Sequence, residues 1–253
     1  MTTPGRDELA IRGFADGSSY NAARPDYPLV AIEHFVATLG IAPTMHVLDL
    51  GAGTGIFTRQ ILPYVEKVTA VEPSSSMRAS LRSETPGVEV LEGSDVAIPL
   101  GNGAVDAVFV AQAFHWFDAP RALAEIHRVL VPGGGLGLIW NERDETVAWV
   151  EELSRAMRWD VHQPYKVGTD FSDVVAAGPF GDVARVEFKH LQTLTREGLY
   201  QRVLTTSYIS LMSDGEREAL MKDVGLVVER QASPIEMPYV TSVYTAKAVV
   251  ADA

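Results

Sequence analysis

The chain has 253 residues, no cysteine and a formal net charge of −12. That length suits one α/β domain, or one domain with a small addition. The missing thiols exclude a disulfide framework, a thiolate metal site and a cysteine nucleophile, and the acidic balance argues against a nucleic-acid surface, which needs Lys and Arg. The first residues lack a basic segment followed by an apolar stretch, and no apolar run approaches the roughly 18 residues of a membrane span. The expectation is a cytoplasmic protein with small-molecule partners and neither membrane nor nucleic acid, as a monomer or homodimer.

Strand-like and helix-like patterns alternate along the chain, which predicts a mostly parallel sheet covered on both faces. Pro28 to Gly40 reads as a leading helix with Leu29, Ile32, Phe35, Val36 and Leu39 on one face. Met45–Leu50 reads as the first strand and Thr54–Tyr64 as its helix. A second strand runs from Val65 to Glu72, after which Ser74 caps a helix to about Arg82. Val88–Leu91 is a third strand, and Val105–Ala111 is an almost wholly apolar fourth. Pro120–Leu130 is helical, Pro132–Gly135 is a turn, and Leu136–Asn141 is a fifth strand. Helical patterns over Val147–His162, Arg196–Leu211 and Asp214–Val228 surround a sixth strand at Phe188–Leu194, and Tyr239–Val249 closes the chain. The whole is expected to form one domain over 1–253, with an N-terminal lid over about 1–40 and a variable helical part over about 145–230.

The densest signal is Val47-Leu48-Asp49-Leu50-Gly51-Ala52-Gly53-Thr54-Gly55-Ile56-Phe57-Thr58. A strand entering a glycine-rich turn that opens a helix begins a Rossmann-type unit, which holds an adenosine-bearing ligand. Glycine lets the backbone take left-handed φ and lets a ligand approach it. The spacing departs from the dinucleotide G-x-G-x-x-G, because Ile56 stands at the third glycine position. No Lys or Arg lies between Asp49 and Thr58 to meet phosphate, and no G-K-[ST] follows. Asp49 would repel a pyrophosphate but suits a ligand carrying cationic centres. Val68–Glu72 with Pro73 then ends in an acid nineteen positions after Gly53, where a carboxylate can accept from ribose hydroxyls.

With these pieces the chain resembles the class I methyltransferases dependent on S-adenosylmethionine (SAM), of the methyltransferase type 11 kind. The resemblance covers roughly positions 14 to 250 and includes His127-Arg128-Val129-Leu130-Val131-Pro132-Gly133-Gly134. It implies a Rossmann-like α/β fold with seven strands in the order 3-2-1-4-5-7-6, the last antiparallel, and SAM as cofactor. It implies that Asp49, Gly51, Ala52, Gly53 and Gly55 hold the methionine end of SAM and that Glu72 and Pro73 border its ribose. Adenine contact falls within Ser94, Asp95 and Val96. The family often has Asp directly after the glycine; here Ser94 stands there. Either the Ser94 hydroxyl and the Asp95 N–H meet the adenine, or the Asp95 carboxylate reaches its exocyclic amine. Ala111 and Gln112 complete the cofactor edge.

A narrower likeness joins Tyr20–Pro28, Ala111–Asp118 and Leu138–Asp144 to small-molecule methyltransferases related to trans-aconitate methyltransferase. It places Tyr20 and Arg24 in a lid over SAM and makes Trp116, Phe117, Trp140, Asn141 and Tyr208 candidates for the acceptor site. His115 is the catalytic candidate, since an imidazole titrating near neutrality can take a proton from an acceptor. It could equally line the site or pack beside Trp116. No metal is expected, because no H-E-x-x-H or similar spacing occurs. The implied activity is methyl transfer to a small organic acceptor at O, N or C. The alternatives are a fold member that binds SAM without methyl transfer, or uses it for another reaction, and, less favoured, an NAD-linked oxidoreductase.

Overall fold

The computed structural model describes residues 24–162 and 169–250. Tyr20 and the first 23 residues of the expected lid lie outside them. The elements run α1 (Leu29–Leu39), β1 (His46–Leu50), α2 (Ile56–Ile61), β2 (Lys67–Val71), α3 (Ser75–Glu84), β3 (Glu89–Leu91) and β4 (Val105–Ala111). After them come α4 (Ala119–Val129), β5 (Leu130–Arg143), α5 (Ala148–Ala156), α6 (Trp159–His162), α7 (Ser172–Ala176) and β6 (Ala184–Leu194). The chain ends with α8 (Arg196–Leu204), α9 (Ser207–Ser210), α10 (Asp214–Val228) and β7 (Ile235–Lys247). Single 3₁₀ turns occupy Leu62–Tyr64 and Phe114–Trp116.

The seven strands form one sheet in the order β3-β2-β1-β4-β5-β7-β6, as expected. β1 pairs in parallel with β2 and β4, β2 with β3, and β4 with β5. β1 therefore sits centrally, and its last residues lie beside the ends of β2 and β4. Parallel strands need both faces covered, and the β1 and β4 residues are accordingly almost all buried.

The chain divides into two compact units. The larger, here the sheet unit, contains Asp26–Trp140, Asp170–Phe188 and the chain from Thr241 onward. The second contains Asn141–Thr169 and Lys189–Val240, together with the chain up to Pro25. In the sheet unit, Phe35, Phe57 and Phe109 interlock, with Phe109 centred 5.1 Å from each of the other two rings. Ile32, Phe35 and Leu39 of α1 are buried in this core, whereas Leu29 points outward and is 60 % exposed. α1 stops at Gly40, whose φ of 68° gives the left-handed cap that glycine adopts without strain. In the second unit, α10 opens on a reciprocal capping box between Ser213 and Glu216. It buries Leu220, Val224, Val227 and Val228 at helical spacing.

Several boundaries differ from the sequence reading. Pro132–Gly135 is not a turn ahead of β5 but an irregularity inside it. Val105 faces Leu130 while Ala107 already faces Gly135, so β5 carries extra residues there, and Gly133 at φ 74° absorbs the bend. The helix expected over Val147–His162 breaks at Arg158, which takes φ 55°. The helix expected over Arg196–Leu211 breaks after Leu204. There the Thr205 and Thr206 hydroxyls both donate to the Arg202 carbonyl, competing with the helical ladder. β6 and β7 each begin four residues earlier than their patterns suggest. No helix among the described residues is long and apolar enough to cross a membrane.

The core at Gly137 of β5 tolerates no side chain. A Cβ there would lie 2.6 Å from Phe109 Cδ1 and 2.8 Å from Phe35 Cε1, and these rings are themselves packed together. Gly137→Ala is expected to destabilise the protein by about 1–3 kcal/mol, read as a lower urea midpoint at unchanged slope. An unchanged midpoint would refute this packing.

Candidate functional site

The unusual residues of the sheet unit gather where β1, β2, β3 and β4 end. In an open α/β sheet this edge, at the switch in strand order, is where ligands bind. Glu72 is the residue that ties it together. It is 6 % exposed, and its two carboxylate oxygens accept from different backbone segments. Oε2 accepts from the Gly53 N–H at 2.9 Å, in the turn after β1, and Oε1 from the Ser74 N–H at 2.8 Å, at the start of α3. Burial raises its pKa, while these two amides and Arg78 oppose the rise. An ionised carboxylate has about four lone-pair sites. Two remain for a ligand.

The turn itself has three left-handed glycines, with φ of 71° at Gly51, 57° at Gly53 and 84° at Gly55. Two of them also answer to packing. A Cβ on Gly51 would meet Ala113 Cβ at 2.8 Å, and one on Gly55 would meet Leu81 Cδ1 at 2.4 Å. A Cβ on Gly53 would meet nothing within 4 Å. Gly53 thus keeps an open approach to the backbone, as a ligand-bearing turn requires. Gly51 and Ala52 donate their N–H groups to the Val71 carbonyl, which fastens the turn to β2.

Asp49 lies under this turn and is fully buried. Its Oδ2 accepts from the Thr58 hydroxyl at 2.5 Å, and its Oδ1 has no hydrogen-bond partner. Burial pushes its pKa up to about 7; the Thr58 bond opposes this and nearby Glu72 adds to it. Sequence reasoning found Asp49 but missed Thr58, although a polar residue nine positions on, in a helix that otherwise buries Phe57 and Ile61, was a visible signal. It also missed Arg78, a buried arginine whose guanidinium bonds the Glu72 and Pro73 carbonyls at 2.8 and 2.7 Å and the Glu92 carboxylate at 2.6 Å.

Ser94, Asp95 and Val96 form a tight reversal after β3. Ser94 and Ala97 exchange backbone hydrogen bonds, so the Ser94 N–H is committed at 3.3 Å. The Asp95 carboxylate accepts from the Asp118 N–H at 3.0 Å, and burial raises its pKa. Farther on, Glu125 accepts from the Ile98 N–H, and Arg128 bonds the Ile98 and Leu100 carbonyls, so α4 braces the segment. At the end of β4, Gln112 takes φ 53°, a conformation that side-chain-bearing residues avoid. Its N–H is held by the Ile139 carbonyl at 2.9 Å. Such strain persists where the surroundings impose it, often at functional sites.

His115 and Trp116 lie in the 3₁₀ turn that follows, their rings 4.8 Å apart. Phe117 comes next and touches the space beside Gly51. The Trp140 indole N–H donates to His115 Nδ1 at 3.1 Å. An indole nitrogen is a donor only, so the neutral imidazole carries its proton on Nε2. Trp140 itself is buried. It is 1 % exposed, stacked on Phe171 at 4.5 Å and edge-on to Tyr244 at 5.6 Å.

The remaining candidates lie in the second unit. The Arg24 guanidinium donates to the Thr205 carbonyl at 3.0 Å, and Asn141 is buried in β5. Tyr208 is buried as well. Its hydroxyl donates to the Met157 carbonyl at 2.7 Å, its ring stacks on His162 at 4.9 Å, and burial raises its pKa. That hydroxyl is spent on the backbone, which only the fold could reveal.

Residues 48–138 match the model of a family described as a methyltransferase domain. The chain is 40 % identical over 209 residues to an uncharacterized methyltransferase of Mycobacterium tuberculosis, covering 82 % of this chain and 81 % of that one. It is 36 % identical over 215 residues to an uncharacterized methyltransferase-like protein of Schizosaccharomyces pombe, covering 84 % of each. Its fold is similar to a geranyl diphosphate methyltransferase solved with SAM, at TM-score 0.51 and 16 % identity, over 87 % of this chain and 85 % of that one.

Two outcomes follow from this geometry. An acid with a higher pKa folded than unfolded keeps its proton in the folded state alone between the two values. Asp49 should therefore make stability fall as pH rises from 3.8 to about 7, and leave it level above. The slope is at most about 1.4 kcal/mol per pH unit. Urea unfolding across this range should show that slope in the difference between the native chain and Asp49→Asn; parallel curves would contradict the assignment. Nitrogen-15 NMR of the imidazole should find His115 protonated at Nε2 when neutral, with Trp140→Phe releasing the ring to a tautomer mixture. An Nδ1-protonated ring in the native chain would oppose the indole bond.

Proposed function

This chain belongs to the class I methyltransferases that use SAM, and we propose that it transfers the methyl group to a small organic acceptor at oxygen, nitrogen or carbon. The observation that carries the reading is the Glu72 carboxylate bound to the Gly53 amide, beside an unobstructed turn. This arrangement joins a ribose acceptor to the turn that would carry the rest of the nucleoside. When bound, SAM supplies an electrophilic methyl group on a sulfonium.

The residues fit that cofactor. Glu72 holds the ribose hydroxyls with the lone pairs its amide bonds leave over, and Pro73 stiffens the step into α3. Gly51, Ala52, Gly53 and Gly55 shape the surface under the methionine end. Asp49 is too deeply buried to lie against that surface, so it acts through its field. Its orphan oxygen sits in low dielectric, where a nearby cationic centre is worth more than in water. An ionised Asp49 would repel a pyrophosphate, which is the physical case against a dinucleotide. Asp95 or its N–H, with Ser94 and Val96, meets the adenine; Ala111 and strained Gln112 border the cofactor from β4.

His115 serves as a hydrogen-bond donor through Nε2, because Trp140 occupies Nδ1. It orients an acceptor or its charge, while Trp116 and Phe117 exclude water. Trp140 acts through His115 as a positioning residue.

Calorimetry tests the cofactor assignment directly: SAM and its demethylated product should bind and NAD should not. Glu72→Ala is expected to weaken SAM binding by about 1–3 kcal/mol, since ribose hydroxyls and two amides lose their acceptor. Binding of NAD in place of SAM would overturn the reading. Label transfer from methyl-labelled SAM to a panel of small acids, amines and phenols then separates methyl transfer from binding alone.

A further inference from the structure

We propose that the second unit contains a binding site for a small carboxylate, built on Arg143 and Arg202. Arg202 lies on α8 and is 6 % exposed, among the most deeply buried charged residues of the chain. Its Nε donates to the Tyr239 hydroxyl at 3.3 Å, and its Nη1 is buried with no hydrogen-bond partner. Arg143, at the end of β5, donates through Nε to the Ser154 hydroxyl at 2.9 Å, and its guanidinium carbon lies 4.7 Å from the centre of the Trp159 ring. Burial and the positive charge of Arg202 both lower the Arg143 pKa.

The positive charge of Arg202 acts on Arg143, and both act on Tyr208, so the two guanidinium groups share one neighbourhood, Arg202 buried and Arg143 partly so. Among the described residues no carboxylate forms an ion pair with either. Of the acids on the flanking segments, Asp144 pairs with Lys189 at 2.9 Å, Glu152 with Arg230 at 2.6 Å and Glu151 with Arg155 at 2.8 Å, while Asp160 acts on Tyr208 through space. Glu145 acts on Arg143 only through space. The two tyrosines that face the pair are neutral oxygens with other commitments. Tyr208 donates to the Met157 carbonyl and Tyr239 to Gln192 Oε1 at 3.3 Å.

A buried cation without a counter-anion is costly, and a second one beside it adds repulsion. One anion removes both penalties. The guanidinium fork matches a group with two coplanar oxygens, which favours carboxylate. The aromatic surroundings point the same way, because a dianionic phosphate would lose far more hydration on entering them than a monoanion. The inference concerns the second unit by itself and does not depend on methyl transfer.

The test uses the full chain without SAM. Acetate, benzoate and succinate are compared with benzamide and inorganic phosphate, each at about 10 mM, by thermal unfolding and then by calorimetry. At least one carboxylate should raise Tm by roughly 3 °C or more while benzamide does not. Arg202→Gln and Arg143→Gln should each weaken that ligand at least about tenfold. If Arg202→Gln fails to fold, the more accessible Arg143→Gln decides. Equal response in the variants, no response to any carboxylate, or a larger response to phosphate would each overturn the proposal. Since no SAM is present, these failures leave the cofactor reading standing.

Discussion

The candidate site depends on one buried carboxylate. Glu72 accepts from Gly53 on one side and from Ser74 on the other, so the turn after β1 and the start of α3 share one anchor. Arg78 reinforces it from behind through the Glu72 and Pro73 carbonyls and then reaches Glu92 beyond β3. Two amide bonds and a neighbouring guanidinium keep a desolvated carboxylate charged more easily than burial alone would allow. The same group thus joins two backbone segments at one point. Its geometry is prepared before any ligand arrives.

The glycines around that anchor serve distinct purposes. Gly51 and Gly55 lack side chains because Ala113 and Leu81 already occupy the space, as well as because of their φ. Gly53 is different, since nothing occupies the position of its missing Cβ. Asp49 beneath them combines full burial, an orphan oxygen and a raised pKa, the marks of an acid poised for an electrostatic task.

A second chain of constraint runs from Phe171 to Trp140 to His115. The stacked rings fix the indole, and the indole N–H fixes the imidazole proton. With Nδ1 accepting from the indole, the neutral ring carries its proton on Nε2. Nothing in the local pattern Ala113–Asp118 indicates which nitrogen is occupied, because the partner is 25 positions away.

Much of this was legible in the chain. The apolar runs of β1 and β4, the Ser74 cap and the glycine turn at Asp49 are local features, set by sterics and burial periodicity, and they appear where their residues predict. Glu72 was also found from its spacing, although its bonds to Gly53 and Ser74 were not. What failed locally were element ends decided by competing contacts: the bulge around Gly133, the break at Arg158, and the helix stop imposed by Thr205 and Thr206. Burial was likewise invisible. Trp140 and Tyr208 are both buried, through contacts with Phe171, Tyr244 and His162 that lie far off in the chain. The sequence by itself determined the alternation of strands and helices and the place of the glycine turn, since these follow from periodicity and residue spacing along neighbouring residues, while the strand order came from the family resemblance. Only the tertiary structure decided hydrogen-bond commitments, the His115 tautomer and the action of the Arg202 charge on Arg143, because such properties arise between groups that the chain brings together from afar.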